Sequence, residues 1–159
     1  MAVDITSKSV SELQNILDNY RRLGRTSEPL YSETLEEYER RQSRGLEIKK
    51  TCNAILQAAK GGKYITYREI AQQSGCEWTS VHFPMSKHLD NVIHWCHSKG
   101  FPLITAIIVS QDDNQLSDIA IRSLSQVARS LGLAKGQTDE DFVRSEQERV
   151  FQWAREQGP

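Results

Sequence analysis

Residues 61–82 read GGKYITYREIAQQSGCEWTSVH, and this stretch limits the possible folds more than any other part of the chain. Two glycines stop whatever helix precedes them. Thr66, followed three positions later by Glu69, makes a capping box and predicts a short helix over YREIAQQS with Ile70 and Ala71 turned inward. Gly75 closes that helix, and Thr79 or Ser80 can cap the next. A short helix, a tight turn containing glycine and a second helix with projecting N-terminal side chains is the pattern of a helix-turn-helix.

The flanks read as helices with a little strand. Ser9 and Glu12 form another capping box, opening a helix that carries Leu13, Ile16, Leu17 and Tyr20 at helical spacing and ends at Gly24. Pro29 precedes a very polar helix, SETLEEYERRQSR, and Gly45 separates it from LEIKKTCNAILQAAK, with Leu46, Ile48, Cys52, Ile55, Leu56 and Ala59 as a buried stripe. Pro84 leaves two readings of the element after Thr79: a short helix that restarts near the proline, or one helix kinked there. MSKHLDNVIHWCHSKG is helical, PLITAIIVS predicts a buried strand, and QDDNQLSD predicts a turn or wing-like loop. Ser117 or Asp118 caps IAIRSLSQVARSLG, and a charged helix from Asp139 to Gln157 closes the chain, with Phe151 and Trp153 turned back on the core.

Composition narrows the functional classes. A chain of 159 residues suits one compact domain. Its net charge of -1 exerts no global pull on a polyanion, so a nucleic-acid surface would have to be local. The N-terminus MAVDITSKSVSEL lacks the basic-then-apolar pattern of a secretory signal, and no apolar run nears the roughly 20 residues that span a bilayer. Cys52, Cys76 and Cys96 are odd in number and lack C-x-x-C spacing. Together these predict free thiols in a reducing, cytoplasmic setting with no membrane partner.

Chemistry-bearing residues gather around the predicted helix-turn-helix. Thr79, Ser80, His82 and Lys87 would face a DNA groove, Trp78 could stack or wedge, and Lys63 and Arg68 could meet phosphates. The arginine groups Arg21, Arg22, Arg25 and Arg40, Arg41, Arg44 read as solvated helix faces paired with Glu36, Glu37 and Glu39, rather than as a phosphate-tracking arm. His82, His88, His94 and His97 lie close in sequence, and His94 and His97 share a face at i, i+3, but no third ligand completes a metal set. Glu47-Ile48-Lys49 echoes a nuclease element without the strand and aspartate that such a site needs. No P-loop or G-x-S-x-G occurs, and neither cofactor nor metal is expected.

YITYREIAQQSG, a helix, and then GFPLITAIIVS resembles the C-terminal winged-helix domain of the O6-alkylguanine DNA alkyltransferases and alkyltransferase-like proteins, over roughly residues 63–110. That resemblance implies a DNA-binding winged helix. Where the family carries P-C-H-R with its acceptor cysteine, this chain has Ile104-Thr105-Ala106-Ile107, and no arginine stands between Thr79 and Leu89. Cys96-His97 falls one element too early, on an inward helix face that disfavours a thiolate. The whole chain is also similar to a group of bacterial proteins with no assigned activity, through SVSEL…NYRRLG, TYREIA…W..VH, PLITAIIV and EQERVFQWA.

The expected fold is α+β and mostly helical. A winged-helix-like core at residues 63–116 is flanked by an N-terminal helical segment, 1–62, and C-terminal helices, 117–159. The expected function is non-catalytic binding of double-stranded DNA, as a regulator or a defence- or mobile-element-associated factor. The alternative is a protein-binding inhibitor or immunity-type module that does not touch nucleic acid.

Overall fold

Most helices start where the sequence offers their first turn a cap. In the computed structural model, which describes residues 4–42, 45–110, 115–133 and 135–157, Ser9 and Glu12 cap α1 (Val10–Arg22) reciprocally. Pro29 occupies the first position of α2 (Pro29–Gln42), where its missing N–H costs nothing. α3 (Ile48–Lys60) ends at Gly61, and a short strand, β1 (Ile65–Thr66), runs into α4 (Tyr67–Gln73). There the Thr66 hydroxyl accepts from the Glu69 amide at 3.2 Å while the Glu69 carboxylate accepts from the Thr66 amide at 3.3 Å. Thr66→Ala is expected to cost about 1 kcal/mol of unfolding free energy, read as a lower midpoint in a urea titration monitored by circular dichroism.

Gly75 takes a φ of +75° in the turn after α4, a conformation that an L side chain adopts only with strain. α5 (Trp78–Ser98) then runs unbroken through Pro84. Of the two sequence readings at this proline, the single helix holds. The proline leaves the carbonyl of residue 80 without its helical donor, and Ser80 is exposed, so water can serve it. Neither Thr79 nor Ser80 caps α5. Glu77 stands at the cap without a side-chain bond, so both hydroxyl residues lie inside the first turn.

The chain is mostly helical with a two-stranded parallel sheet. β1 pairs with β2 (Ile108–Val109) in the register Ile65 with Ile108 and Thr66 with Val109. The strand expected over PLITAIIVS is thus mostly not a strand, since Ile104–Ile107 forms a 3-10 turn. Its backbone finds partners on α7 (Asp139–Glu156) instead of in a ladder. The Leu103 amide donates to buried Glu146 at 2.9 Å, and Gln147 donates to the Ala106 carbonyl at 3.0 Å. Ser117, not Asp118, caps α6 (Asp118–Ser130). The first half of the wing-like loop, 111–114, lies outside the described residues.

Leu13, Tyr31, Leu35, Ile55, Ile70, Val92, Ile107 and Val150 share one core, with Phe151 and Trp153 packed against it. A smaller cluster joins Ile93 of α5 to Leu124, Ala128 and Phe142 of α6 and α7. No described helix is long and apolar enough to cross a membrane.

Candidate nucleic-acid interface

The buried stripe of α5 decides what its first turns present outward. Val81, Met85, His88, Leu89 and Val92 face the core. Thr79, Ser80, His82, Phe83, Ser86 and Lys87 are left exposed. This is the polar, projecting helix start expected from the sequence, and Phe83, at 83% exposure, stands in its middle.

Three of the expected residues make one contiguous group. The guanidinium of exposed Arg68, on α4, lies 5.8 Å from the Trp78 ring centroid, and Trp78 lies 6.0 Å from the His82 ring. The His82 ring sits 4.4 Å from Phe83, and its Nδ1 reaches the Trp78 and Thr79 carbonyls at 3.2 and 3.1 Å. Thr79 and Ser80 expose their hydroxyls beside this group. Lys87 is exposed but tethered: Nζ donates to the Tyr38 hydroxyl at 3.4 Å and lies 5.8 Å from that ring. Lys63 is exposed before β1, and among the described residues no hydrogen bond or ring contact joins it to the others.

Beside this face runs a groove of about 290 Å³ between α4, α5 and the start of α6. Tyr67, Trp78 and His82 line it together with Met85, Leu89 and Ile108. Two polar groups in its lining were not singled out from the sequence. The Thr105 hydroxyl is buried with no hydrogen-bond partner, and Asp90 is half-buried. Burial holds the Asp90 carboxyl above the usual carboxylate range and pushes the Tyr67 phenol up as well. Ile119, 74% exposed, sits at the rim.

The other motifs resolve without chemistry. Arg40 and Arg41 both bind Glu37, at 2.6 and 2.8 Å, and Arg41 also donates to the Thr6 carbonyl at 2.9 Å. Arg25 pairs with Glu28 at 2.5 Å rather than with the α2 carboxylates, and Arg44 lies outside the described residues. Cys96 is fully buried, and its contact with Cys52, together with burial, pushes the Cys52 thiol well up. Among the described residues no three His, Cys, Asp or Glu side chains gather as a metal set.

No protein-family profile, no curated protein and no solved structure matches the chain.

Proposed function

We propose that this chain is a non-catalytic DNA-binding protein that lays a winged helix-turn-helix, α4 and the start of α5, on double-stranded DNA. One observation carries the reading: from Thr79 to Lys87 the exposed face of α5 presents hydroxyls, an imidazole, a phenyl ring and an ammonium, and no carboxylate. The amides of that first turn have no side-chain cap, although the exposed Glu77 carboxylate at the cap position opposes a phosphate there. Thr79, Ser80, His82 and Lys87 face the groove, Trp78 and Phe83 supply stacking surface, and Arg68 and Lys63 meet phosphates. Thr105, on the lined groove, stands where the alkyltransferase pattern has its acceptor cysteine. A hydroxyl there with no partnered base favours binding over group transfer.

A mobility-shift series with random-sequence duplex across salt tests this. Retention is expected to fall steeply as salt rises, and the double change Arg68→Glu, Lys87→Glu is expected to abolish it while leaving the unfolding midpoint close to wild type, since both residues are exposed. No shift at low ionic strength would leave the second reading, a protein-binding module. Phe83 and Ile119, two large apolar side chains exposed on this side, support that alternative.

A further inference from the structure

Far along α5 from the exposed first turns, a second pocket, of about 370 Å³, is lined by Arg21, Thr26, Tyr31, His94, His97 and Ser130. Every ionisable or hydroxyl side chain in that lining can donate a hydrogen bond, and among the described residues no carboxylate lines it. The Arg21 guanidinium is held from one side. Its Nε donates to the Tyr31 hydroxyl at 3.0 Å, and its plane lies 5.8 Å from the Tyr31 ring centroid. Nη2 of the same group is buried and has no hydrogen-bond partner. A guanidinium cannot shed its charge, so an unmet buried nitrogen on it is costly until an acceptor arrives. Beside it, burial first, and then the charges of Arg21 and His97, push His94 down to about 4.

We propose that this pocket binds a small oxyanion, a phosphate monoester by chemical class, with Arg21 Nη2 meeting one oxygen and the His94 and His97 imidazoles meeting the others. Phosphate suits the lining better than carboxylate does. It offers three terminal oxygens and up to two charges to a guanidinium and two imidazoles, where a carboxylate offers two oxygens and one charge. The volume leaves room for the rest of a small molecule. None of the pocket's lining residues belongs to the α4–α5 face, so this site does not depend on the nucleic-acid reading.

The full chain is titrated with inorganic phosphate, and in parallel with glycerol 3-phosphate and acetate, at constant ionic strength, while the His94 and His97 ring resonances are followed. Saturable shifts are expected with both phosphates and weaker ones with acetate. The apparent pKa of His94 is expected to rise on saturation, because the bound anion favours the imidazolium. Arg21→Gln is expected to weaken phosphate binding by about tenfold or more. His97→Gln, at a half-buried position, gives a second and smaller loss that does not rely on the fold tolerating a change at Arg21. A titration that leaves both imidazoles unmoved, or moves them equally in wild type and Arg21→Gln, overturns the site. So does an Arg21→Gln protein that loses duplex retention while the wild type ignores free phosphate, since the phosphate in question would then be that of a nucleic acid. Because the titration contains no DNA, its failure is distinct from a failure of the duplex shift.

Discussion

Replacing His88 with alanine is expected to remove about 3–5 kcal/mol of unfolding free energy, read from chemical denaturation. His88 is 1% exposed, and its two ring nitrogens join three helices. Nδ1 lies 2.5 Å from a carboxylate oxygen of Glu39 on α2, and Nε2 lies 2.7 Å from the Thr51 hydroxyl on α3. Asn91, one turn further along α5, donates to the other Glu39 oxygen. Glu39 and Thr51 are 2% and 0% exposed, so water cannot stand in for the imidazole without opening the core. Alanine therefore takes a partner from each of two buried groups and leaves a void the size of the ring. A double-mutant cycle with Glu39→Gln is expected to show coupling of about 1–3 kcal/mol. A loss from His88→Ala below about 1 kcal/mol would mean that the buried carboxylate is solvated by some other route.

This network also bears on the proposed interface. His88 follows directly on Lys87, and Tyr38, which holds the Lys87 ammonium, precedes Glu39 on α2. One pair of adjacent residues on each helix thus carries a buried anchor and an exposed tether. The direction in which α5 presents Thr79 to Lys87 is held at its middle as well as by Val81 and Met85 in its first turns.

What could be read from the sequence was local. Both capping boxes, the glycine turn at Gly75 and the polar start of the following helix are written within a few residues of one another, and all are present. Pro84 left two readings open because its cost depends on which face of the helix it interrupts, and that face is set by packing. On the single-helix reading, the spacing of Val81, Met85 and Leu89 places Phe83 outside. The run PLITAIIVS reads as strand because buried β-branched residues resemble a strand whatever their backbone does. Only Glu146 and Gln147, about forty residues later, supply the partners that make it a turn. The groups that give the two pockets their chemistry were hidden for the same reason. Asp90 and Thr105 line one pocket, and His94 and Arg21 another, only when elements distant in sequence close on each other. His94 and His97 drew attention as metal ligands at i, i+3, whereas the fold gives them a guanidinium for company and no carboxylate in the pocket they share.

Acid is expected to destabilise the protein through His94, in a window that the sign of its shift defines. The folded-state value near 4 lies below the ordinary 6.5, chiefly because of burial and then because of Arg21 and His97. Between those two values the unfolded chain binds a proton that the folded chain refuses. Stability therefore falls as pH drops through about 6.5, keeps falling to about 4, and changes no further below that on account of this group. The full shift corresponds to about 3 kcal/mol, and solvent reaching the half-buried ring reduces this to about 2 kcal/mol. Asp90 acts in the opposite sense at the lower edge of the window. Its raised carboxyl value favours the folded chain when protonated, while Glu12, Glu28 and Glu37, held low by their hydrogen-bond partners, lose stability as acid protonates them, so the wild-type curve alone mixes several groups. The difference between wild type and His94→Gln isolates His94: glutamine does not titrate, and its profile should be flatter by about 2 kcal/mol between pH 6.5 and 4. Profiles of equal slope would show that water reaches His94 freely. Repeating both profiles in phosphate sharpens the comparison, because an anion held by Arg21 lets the folded chain accept the proton. The wild-type slope should shrink there, and that of His94→Gln should not.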